Sequence, residues 1–557
     1  MSLQTHTPPL APPQGPLSPF GRALFALRRA AREPNPVWIR ELKQSARLPR
    51  TPVILAVVTG MVTLLIASIG GVLSVTAEPA QVGAGVFHTF FSLAFAIVTT
   101  VGPAVAATTI ASEKSGRTWE ALLLTGLSPA AIARGKFLAA FTYVSLYVVM
   151  LAPVGALAFL FGGVTPAEVL LAFAVLLLIA SLSVAFGLAV SSKLSTPAAS
   201  ILVTLFVGLP LAMVVYGLGG VALSFAVHEL WPAVTGGAPV WLPTAYVRAD
   251  FGLPYVVFLV LAPLLVTILP AWLFYEVTIA NMAGESDDRS TRLRVWMLAS
   301  APPIAAFGAL AALAVDSFEW VFVGITASWL FFVFVAFLVA GEPLGPSARV
   351  VARWDRARVS RLLRALGPGV GRAGIAAALA AVGCLGGATL SGVLLADTRD
   401  DTFSTLALGA YAAAFALFLI GFSVWTRART EGAAAPRVLS LGVLFAALFG
   451  PYIAMAIAGI LTDNGDRALL IAAPSPAFAF VVANRYRSPG GDADLYGLVG
   501  AAASLAWGVL GIALLAAGTL HARRRVRTAP AGSTGAPTPP SADPPSNPPP
   551  APAPHTS

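Results

Sequence analysis

The sequence predicts an all-α polytopic membrane protein with about twelve transmembrane helices. Of its 557 residues, 57% are hydrophobic and only 11% are charged, and long apolar runs recur along the chain. A soluble domain has about 25% charged residues, and a helix that spans a bilayer needs about 20 apolar residues. An open strand in lipid would leave backbone groups unpaired, and the polar alternation of a barrel is absent. The composition therefore excludes an ordinary soluble enzyme and a disordered protein.

Twelve apolar runs are long enough to span a bilayer. Their predicted limits are 52–76, 86–110, 137–163, 168–191, 197–224, 252–275, 295–315, 320–340, 373–396, 402–426, 438–462 and 495–520. The fifth run contains Gly208 and Pro210. Because proline interrupts helical hydrogen bonding, these two residues predict a break or a re-entrant end in that run.

The basic residues predict the orientation of the spans. An even number of spans puts both termini on one side, and with that side cytoplasmic, thirty of the 35 Lys and Arg residues are cytoplasmic. The five in outer segments are Arg248, Arg399, Arg467, Arg485 and Arg487. This asymmetry follows the positive-inside rule. We expect a protein integral to the cytoplasmic membrane with both termini in the cytoplasm.

Composition and loop lengths predict the domain organisation. We expect a disordered cytoplasmic tail at 1–34, an amphipathic interfacial helix at 35–50, six-helix bundles at 51–280 and 281–524, and a disordered Pro-rich cytoplasmic tail at 525–557. The tails are too poor in large apolar residues to offset the entropy of ordering.

The two halves share a loop rhythm, which predicts an internal duplication. Long inner segments lie at 111–136 and 341–372, and long outer loops lie at 225–251 and 463–494. Two states of assembly stay open, an internal pseudo-dimer of the two bundles and a homodimer.

The segment after the N-terminal tail predicts a short helix that lies flat on the membrane surface. Asn35 suits the N-cap and Pro36 suits the first helical position. Basic residues then recur on one face and apolar residues on another, which is typical of interfacial helices that contact membrane lipid. The residues assigned to this interface are Trp38, Arg40, Glu41, Lys43 and Arg47. The alternative is a charged flank that only orients the first span.

The inner segment between spans two and three contains a short apolar stripe flanked by charge. Gly126 permits a sharp turn, and Ser128-Pro129 predicts the start of a new helix. Trp119, Leu122 and Leu123 form the stripe between these breaks. Such a patch in a cytoplasmic loop is typical of a protein-docking surface. The alternative is a solvated turn whose leucines fold back on the ends of the spans.

Together the two segments resemble the ABC type-2 permease family. The likeness is carried by Asn-Pro-Val-x-x-Arg-Glu-Leu from Asn35 and by Glu113, Gly116-x-Thr118-x-Glu120, Leu122-Leu123, Thr125-x-Leu127-Ser128 and Gly135-Lys136. It covers about 35–280 and, more weakly, 295–520. The resemblance implies a six-span permease unit with an N-terminal elbow helix that exports a substrate and associates with cytoplasmic ABC ATPase subunits.

The resemblance also implies which residues couple the permease to its ATPase partner. They are Glu113, Thr118, Glu120, Leu122, Leu123, Gly135 and Lys136. The inner segment 341–372 lacks this motif and holds seven arginines instead. That segment is either a second ATPase contact or a basic stretch that binds anionic lipid.

The sequence lacks the motifs of an enzyme. Gly135-Lys136 is followed by Phe137 and is not part of a phosphate-binding Gly-x-x-x-x-Gly-Lys-Ser/Thr loop. We therefore expect no catalysis, cofactor or metal in this chain, with ATP bound by the partner subunit. We also expect no nucleic-acid partner, because the excess positive charge flanks the spans.

Two other functions stay open. An ion-coupled secondary carrier would need ionisable groups within its spans, and only His88 and Glu276 lie near span ends, where Glu276 could pair with Arg289 or Arg292. A non-transporting membrane scaffold would use the basic loop or the tails for assembly. The uncharged spans favour a transport permease driven from outside the membrane.

Overall fold

The computed structural model describes residues 34–46, 50–235, 242–284, 286–462, 468–487 and 493–528. Within these ranges the regular secondary structure is entirely helical. Eleven helices there are long and apolar enough to cross a membrane. The predicted all-α polytopic class is therefore confirmed. Residues 1–33 and 529–557 of the two predicted tails lie outside the described ranges.

The described residues of the first half form eleven α-helices. They are α1 (Pro36–Ala46), α2 (Arg50–Thr76), α3 (Pro79–Ser115), α4 (Trp119–Leu124), α5 (Pro129–Met150), α6 (Ala152–Phe161), α7 (Pro166–Lys193), α8 (Pro197–Leu230), α9 (Pro232–Thr235), α10 (Leu242–Arg248) and α11 (Ala262–Met282). A π-helix, Tyr255–Leu261, leads directly into α11.

The part of the second half that the structure describes forms nine further α-helices. They are α12 (Thr291–Val315), α13 (Glu319–Val339), α14 (Ala348–Arg356), α15 (Arg361–Ala365), α16 (Val370–Leu395), α17 (Arg399–Arg429), α18 (Ala434–Thr462), α19 (Phe478–Arg487) and α20 (Ala493–Thr528). A 3-10 helix, Leu470–Ala472, precedes α19.

Each of the twelve predicted runs overlaps these helices, with three differences in detail. The third run is divided into α5 and α6 at Leu151. The fifth run shows no break, because α8 continues through Pro210. The last helix runs past residue 524, the predicted end of the second bundle, to Thr528, and Arg525 in that extension donates hydrogen bonds to the carbonyls of Ala428 and Thr430.

The two halves pack their helices in matching pairs. In the first half α3 packs on α7, and α7 packs on α11; in the second half α13 packs on α17, and α17 packs on α20. The short outer helices match as well, since α10 packs on α7 and α19 packs on α17. This shared packing supports the predicted duplication.

Candidate docking site at the inner end

The short helices α1, α4, α14 and α15 flank the spans at one end of the bundle, which we call the inner end because the distribution of basic residues predicts that it faces the cytoplasm. There α1 packs on α5. The Asn35 side chain accepts a hydrogen bond from the Val37 amide at 2.9 Å and donates one to the carbonyl of Ala131 at 2.7 Å. Trp38 donates a hydrogen bond to the Thr142 hydroxyl at 3.3 Å. Asn35 therefore begins the helix and fastens it to the third span at the same time.

Close approach of α1 to α5 depends on Gly135. A Cβ atom at this position would lie 2.6 Å from both Asn35 Oδ1 and Val37 Cβ. Contacts of that length do not occur between real side chains, so only glycine lets the two backbones meet.

Gly135→Ala should lower the free energy of unfolding by about 1–3 kcal/mol, because the added methyl group forces α1 away from α5. Thermal unfolding of the purified protein in detergent measures the effect. Gly383→Ala is the matched control, since it adds the same methyl group to helix α16, where nothing lies within 4 Å. Equal stability of the two variants would contradict the proposed contact.

Between α1 and the spans lies a group of four charges, Arg40, Glu41, Glu113 and Lys136, which we call the inner ion cluster; its members range from the fully buried Lys136 to the nearly half-exposed Arg40. Lys136 is fully buried, and its Nζ lies 3.2 Å from Glu41 Oε1 and 3.1 Å from Glu113 Oε1. Arg40 pairs with the same two carboxylates. Burial opposes the charge on Glu41, but Lys136 and Arg40 outweigh it and hold the pKa of Glu41 below its usual value. The cluster ties α1 to α3 and α5.

Helix α4 lies between two residues with left-handed backbone conformation, Arg117 (φ 57°) and Gly126 (φ 72°). Its Leu122 is buried, whereas Leu124 on the other face is 87% exposed. Leu122 joins an apolar core contributed by six helices; its members are Val37, Ile110, Leu122, Ile132, Ala133, Leu188, Ile279 and Met282. One face of α4 is thus part of the bundle and the other is open.

The structure divides the predicted coupling residues into two groups. Thr118 and Glu120 are exposed. Glu113, Leu122, Gly135 and Lys136 are packed inside, where they hold the elbow helix and the loop in place. The side chain of Leu123 and the predicted interface residue Arg47 lie outside what the structure describes. Leu124 was missed, although helical periodicity places it opposite the stripe of Trp119 and Leu122.

The predicted interface residues of α1 also fall into two groups. Lys43 is exposed and Arg40 is nearly half exposed. Glu41 and Trp38 are partly buried against the bundle through Lys136 and Thr142. The helix therefore carries a bundle-facing side and a solvent- or lipid-facing side, as the amphipathic pattern indicated.

A second buried charge pair lies at the inner end of the second half. Arg294 and Glu342 are both more than nine-tenths buried, and Arg294 Nη2 lies 3.0 Å from Glu342 Oε2. Arg294 also donates hydrogen bonds to the carbonyls of Gly367 and Gly369 before α16. Arg427 at the end of α17 donates to the backbone carbonyl of Glu342 at 2.8 Å. This cluster joins the inner ends of α12, α13, α16 and α17.

The described arginines at the predicted outer end, Arg248, Arg399, Arg485 and Arg487, have acidic or aromatic partners. Arg248 Nε lies 2.7 Å from Oε1 of the fully buried Glu168, and Arg487 Nε lies 3.3 Å from Asp401 Oδ1. Arg467 lies outside the described residues. These partners neutralise or shield the few basic residues at the end that the sequence predicts to be the outer one.

Glu276, one of the two residues considered for an ion-coupled carrier, forms an ion pair with Arg292. The Glu276 carboxylate lies 3.3 Å from Arg292 Nη1 and accepts a hydrogen bond from Trp272. The pairing predicted for Glu276 is thus with Arg292. Among the described residues, no group of three or more His, Cys, Asp or Glu side chains could hold a metal ion.

Residues 52–247, from α2 to α10, match the family model described as ABC-2 family transporter protein. No curated protein and no solved structure matches the chain significantly. The family match covers about a third of the chain, includes the inner segment with α4, and confirms the resemblance to ABC type-2 permeases. Over the matched residues the chain is similar to the membrane component of an ABC transporter, and its eleven long apolar helices in the described ranges indicate an integral membrane protein.

Proposed function

We propose that this protein is the membrane subunit of an ABC exporter whose separate cytoplasmic ATPase subunit docks on α4 and drives transport by displacing it. The observation that carries the proposal is that α4 is buried on one face and open on the other, with Leu122 in the six-helix core and Leu124 exposed. A partner that binds the open face therefore acts on α1, α3, α5, α7 and α11 through a single apolar core.

The inner ion cluster supports this mechanism. Glu113 ends α3 and Lys136 begins the membrane-facing part of α5, so their 3.1 Å contact closes the base of the loop that carries α4. A closed base transmits a displacement of the loop to both spans instead of absorbing it by local flexing. In this cycle the ATPase subunits close on ATP and the two bundles, acting as an internal pseudo-dimer, tilt to release substrate outward.

Leu124→Asp should weaken binding of the ABC ATPase subunit by about 30-fold or more, because a central apolar anchor contributes about 2 kcal/mol or more to an interface. ATP-dependent transport should fall with it. Co-purification of the ATPase subunit with the permease and its affinity in detergent measure the effect. Leu124 is chosen over Leu122 because its exposure leaves the core intact.

Phe251→Asp is the matched control. Phe251 is 83% exposed at the opposite, outer end of the molecule, so its change should leave ATPase binding unaltered. The proposal is wrong if Leu124→Asp binds the ATPase subunit as tightly as the Phe251 variant, or if transport persists at full rate after all ATP has been removed.

A further inference from the structure

The segment between α13 and α16 carries an excess of positive charge at the inner end. Residues 341–372 include seven arginines and only two acids, Glu342 and Asp355. Glu342 is buried and pairs with Arg294, and Asp355 pairs with Arg364 at 2.9 Å. Neither acid therefore offsets the charge of the other arginines in this segment.

Three of these arginines are exposed and form no ion pair with any acid among the described residues. They are Arg356, Arg358 and Arg361, at the end of α14 and the beginning of α15. An exposed guanidinium without a carboxylate partner can bind a phosphate group through two parallel hydrogen bonds. The charge and the hydrogen-bonding groups of this surface thus complement phosphate.

Two exposed leucines follow these arginines on α15. Leu362 is 83% exposed and Leu363 is 58% exposed. Apolar side chains next to cations are typical of segments at a membrane surface, where the apolar groups enter the acyl boundary and the cations lie among the headgroups. The pattern of α15 therefore matches a lipid surface in both of its components.

Hydrogen bonds of α15 fix its level relative to the spans. Arg294, the fourth residue of α12, donates to the carbonyl of Ala365, the last residue of α15, at 3.3 Å. Helix α16 begins shortly afterwards, and its 26 residues extend over about 39 Å, more than the hydrocarbon core of about 30 Å. The exposed leucines consequently lie level with the inner ends of the spans, where the headgroups are.

Helix α14 holds α15 on a firm base. Its Trp354 is buried, with Gly367 leaving room for the ring, since a Cβ there would lie 2.1 Å from it. Arg372 lies over the same ring at 5.3 Å. The Ser347 hydroxyl that caps α14 donates to the carbonyl of Ser286 at 2.6 Å. A surface fixed in this way loses little conformational entropy when it binds a ligand.

The end of α20 extends the positive surface. A Cβ atom at Gly345, just before α14, would lie 3.0 Å from Val526 Cγ2, so the end of α20 adjoins the start of this segment. Arg523, Arg524 and Arg527 are exposed there. The basic surface of the second half is thus built from two parts of the chain that are distant in sequence.

We propose that α14, α15 and the end of α20 bind the headgroups of anionic phospholipids and anchor the second half in the inner leaflet. The arginines contact the lipid phosphates, and Leu362 and Leu363 enter the acyl boundary. The level of α15 with the span ends favours lipid over a protein partner. This contact involves lipid alone and lies outside the residues matched by the family model, so it does not depend on the proposed function.

Titration of the full-length chain in detergent with phosphatidylglycerol tests the proposal. The single cysteine is removed by Cys384→Ala, and Leu362→Cys introduces a thiol for an environment-sensitive fluorophore. Phosphatidylglycerol should shift the emission of the label to shorter wavelength, because the label enters an apolar boundary. Phosphatidylcholine, which has no net charge, should require at least about tenfold more lipid for the same shift.

Neutralising the three arginines without acidic partners should weaken this binding. Arg356→Gln, Arg358→Gln and Arg361→Gln, combined in the labelled chain, should raise the midpoint of the phosphatidylglycerol titration by at least about tenfold. All three side chains are exposed, so the thermal unfolding midpoint should stay that of the labelled parent.

The matched control removes the same number of exposed basic residues from the inner end of the first half. It combines Lys43→Gln, Arg134→Gln and Lys193→Gln in the labelled chain. The net charge falls by the same amount as in the arginine variant, but the phosphatidylglycerol midpoint reported by the label at position 362 should not change.

Three results would overturn the proposal. The first is an equal midpoint for the two lipids, or for the arginine variant and its control. The second is an equal response of the label to inorganic phosphate, which would assign the surface to a soluble phosphate compound. The third is a response to a co-purifying ABC ATPase subunit and to neither lipid, which would assign it to a protein partner.

Discussion

Lys136→Met should lower the free energy of unfolding by about 3–5 kcal/mol, the cost of breaking a buried ion pair from one side. Lys136 is fully buried, and its Nζ lies 3.1 Å from Glu113 Oε1. Arg40 is the second cation that pairs with Glu113. Methionine fills a similar volume, so the loss reports the charge and not a cavity. Thermal or denaturant unfolding of the purified permease in detergent measures it.

Lys43→Met is the control, because it removes the same charge from an exposed position of α1. The free energy of unfolding of this variant should differ from that of the wild type by less than about 0.5 kcal/mol. Combining Lys136→Met with Glu113→Gln and Glu41→Gln should restore much of the lost stability, since no buried charge is then left without its partner. If Lys136→Met is as stable as the wild type, the inner ion cluster does not hold α1.

Glu342→Ala in the second half should also lower the free energy of unfolding by about 3–5 kcal/mol, because it leaves the buried charge of Arg294 without a carboxylate partner. Arg294 keeps its hydrogen bonds to the carbonyls of Gly367 and Gly369 but loses its carboxylate partner. The Ser290 hydroxyl, which donates to Glu342 at 2.7 Å, loses its acceptor too.

Glu431→Ala provides the comparison for this variant, since Glu431 is an exposed acid at the same end of the bundle. The free energy of unfolding of Glu342→Gln should lie between those of Glu342→Ala and Glu431→Ala, because the amide oxygen can still accept a hydrogen bond from Ser290 or Arg294. Equal unfolding midpoints for Glu342→Ala and Glu431→Ala would show that the Arg294 pair contributes nothing to the second bundle.

The membrane-spanning architecture could be predicted from the sequence because length and hydropathy alone specify a spanning helix. The beginning of α1 could be predicted as well, since capping by Asn35 depends on neighbouring residues only. The continuity of α8 through Pro210 could not, because tertiary and lipid contacts decide whether a proline breaks a membrane helix.

The candidate docking site was only partly predictable. The segment 113–136 was identified, but the sequence does not show which of its residues face inward. In the sequence, Lys136 resembles the basic residues that commonly flank a span. In the structure it pairs with Glu41, which lies 95 residues earlier in the chain.

Fastening of α1 by Lys136 has a consequence for biogenesis. Glu41 and Lys136 are 95 residues apart, so at about 5–20 residues per second a ribosome takes about 5–20 s to deliver the lysine after the glutamate. Helix α1 is therefore synthesised several seconds before the lysine that pairs with it on α5. The elbow can take up its final position only after the third transmembrane segment has been made.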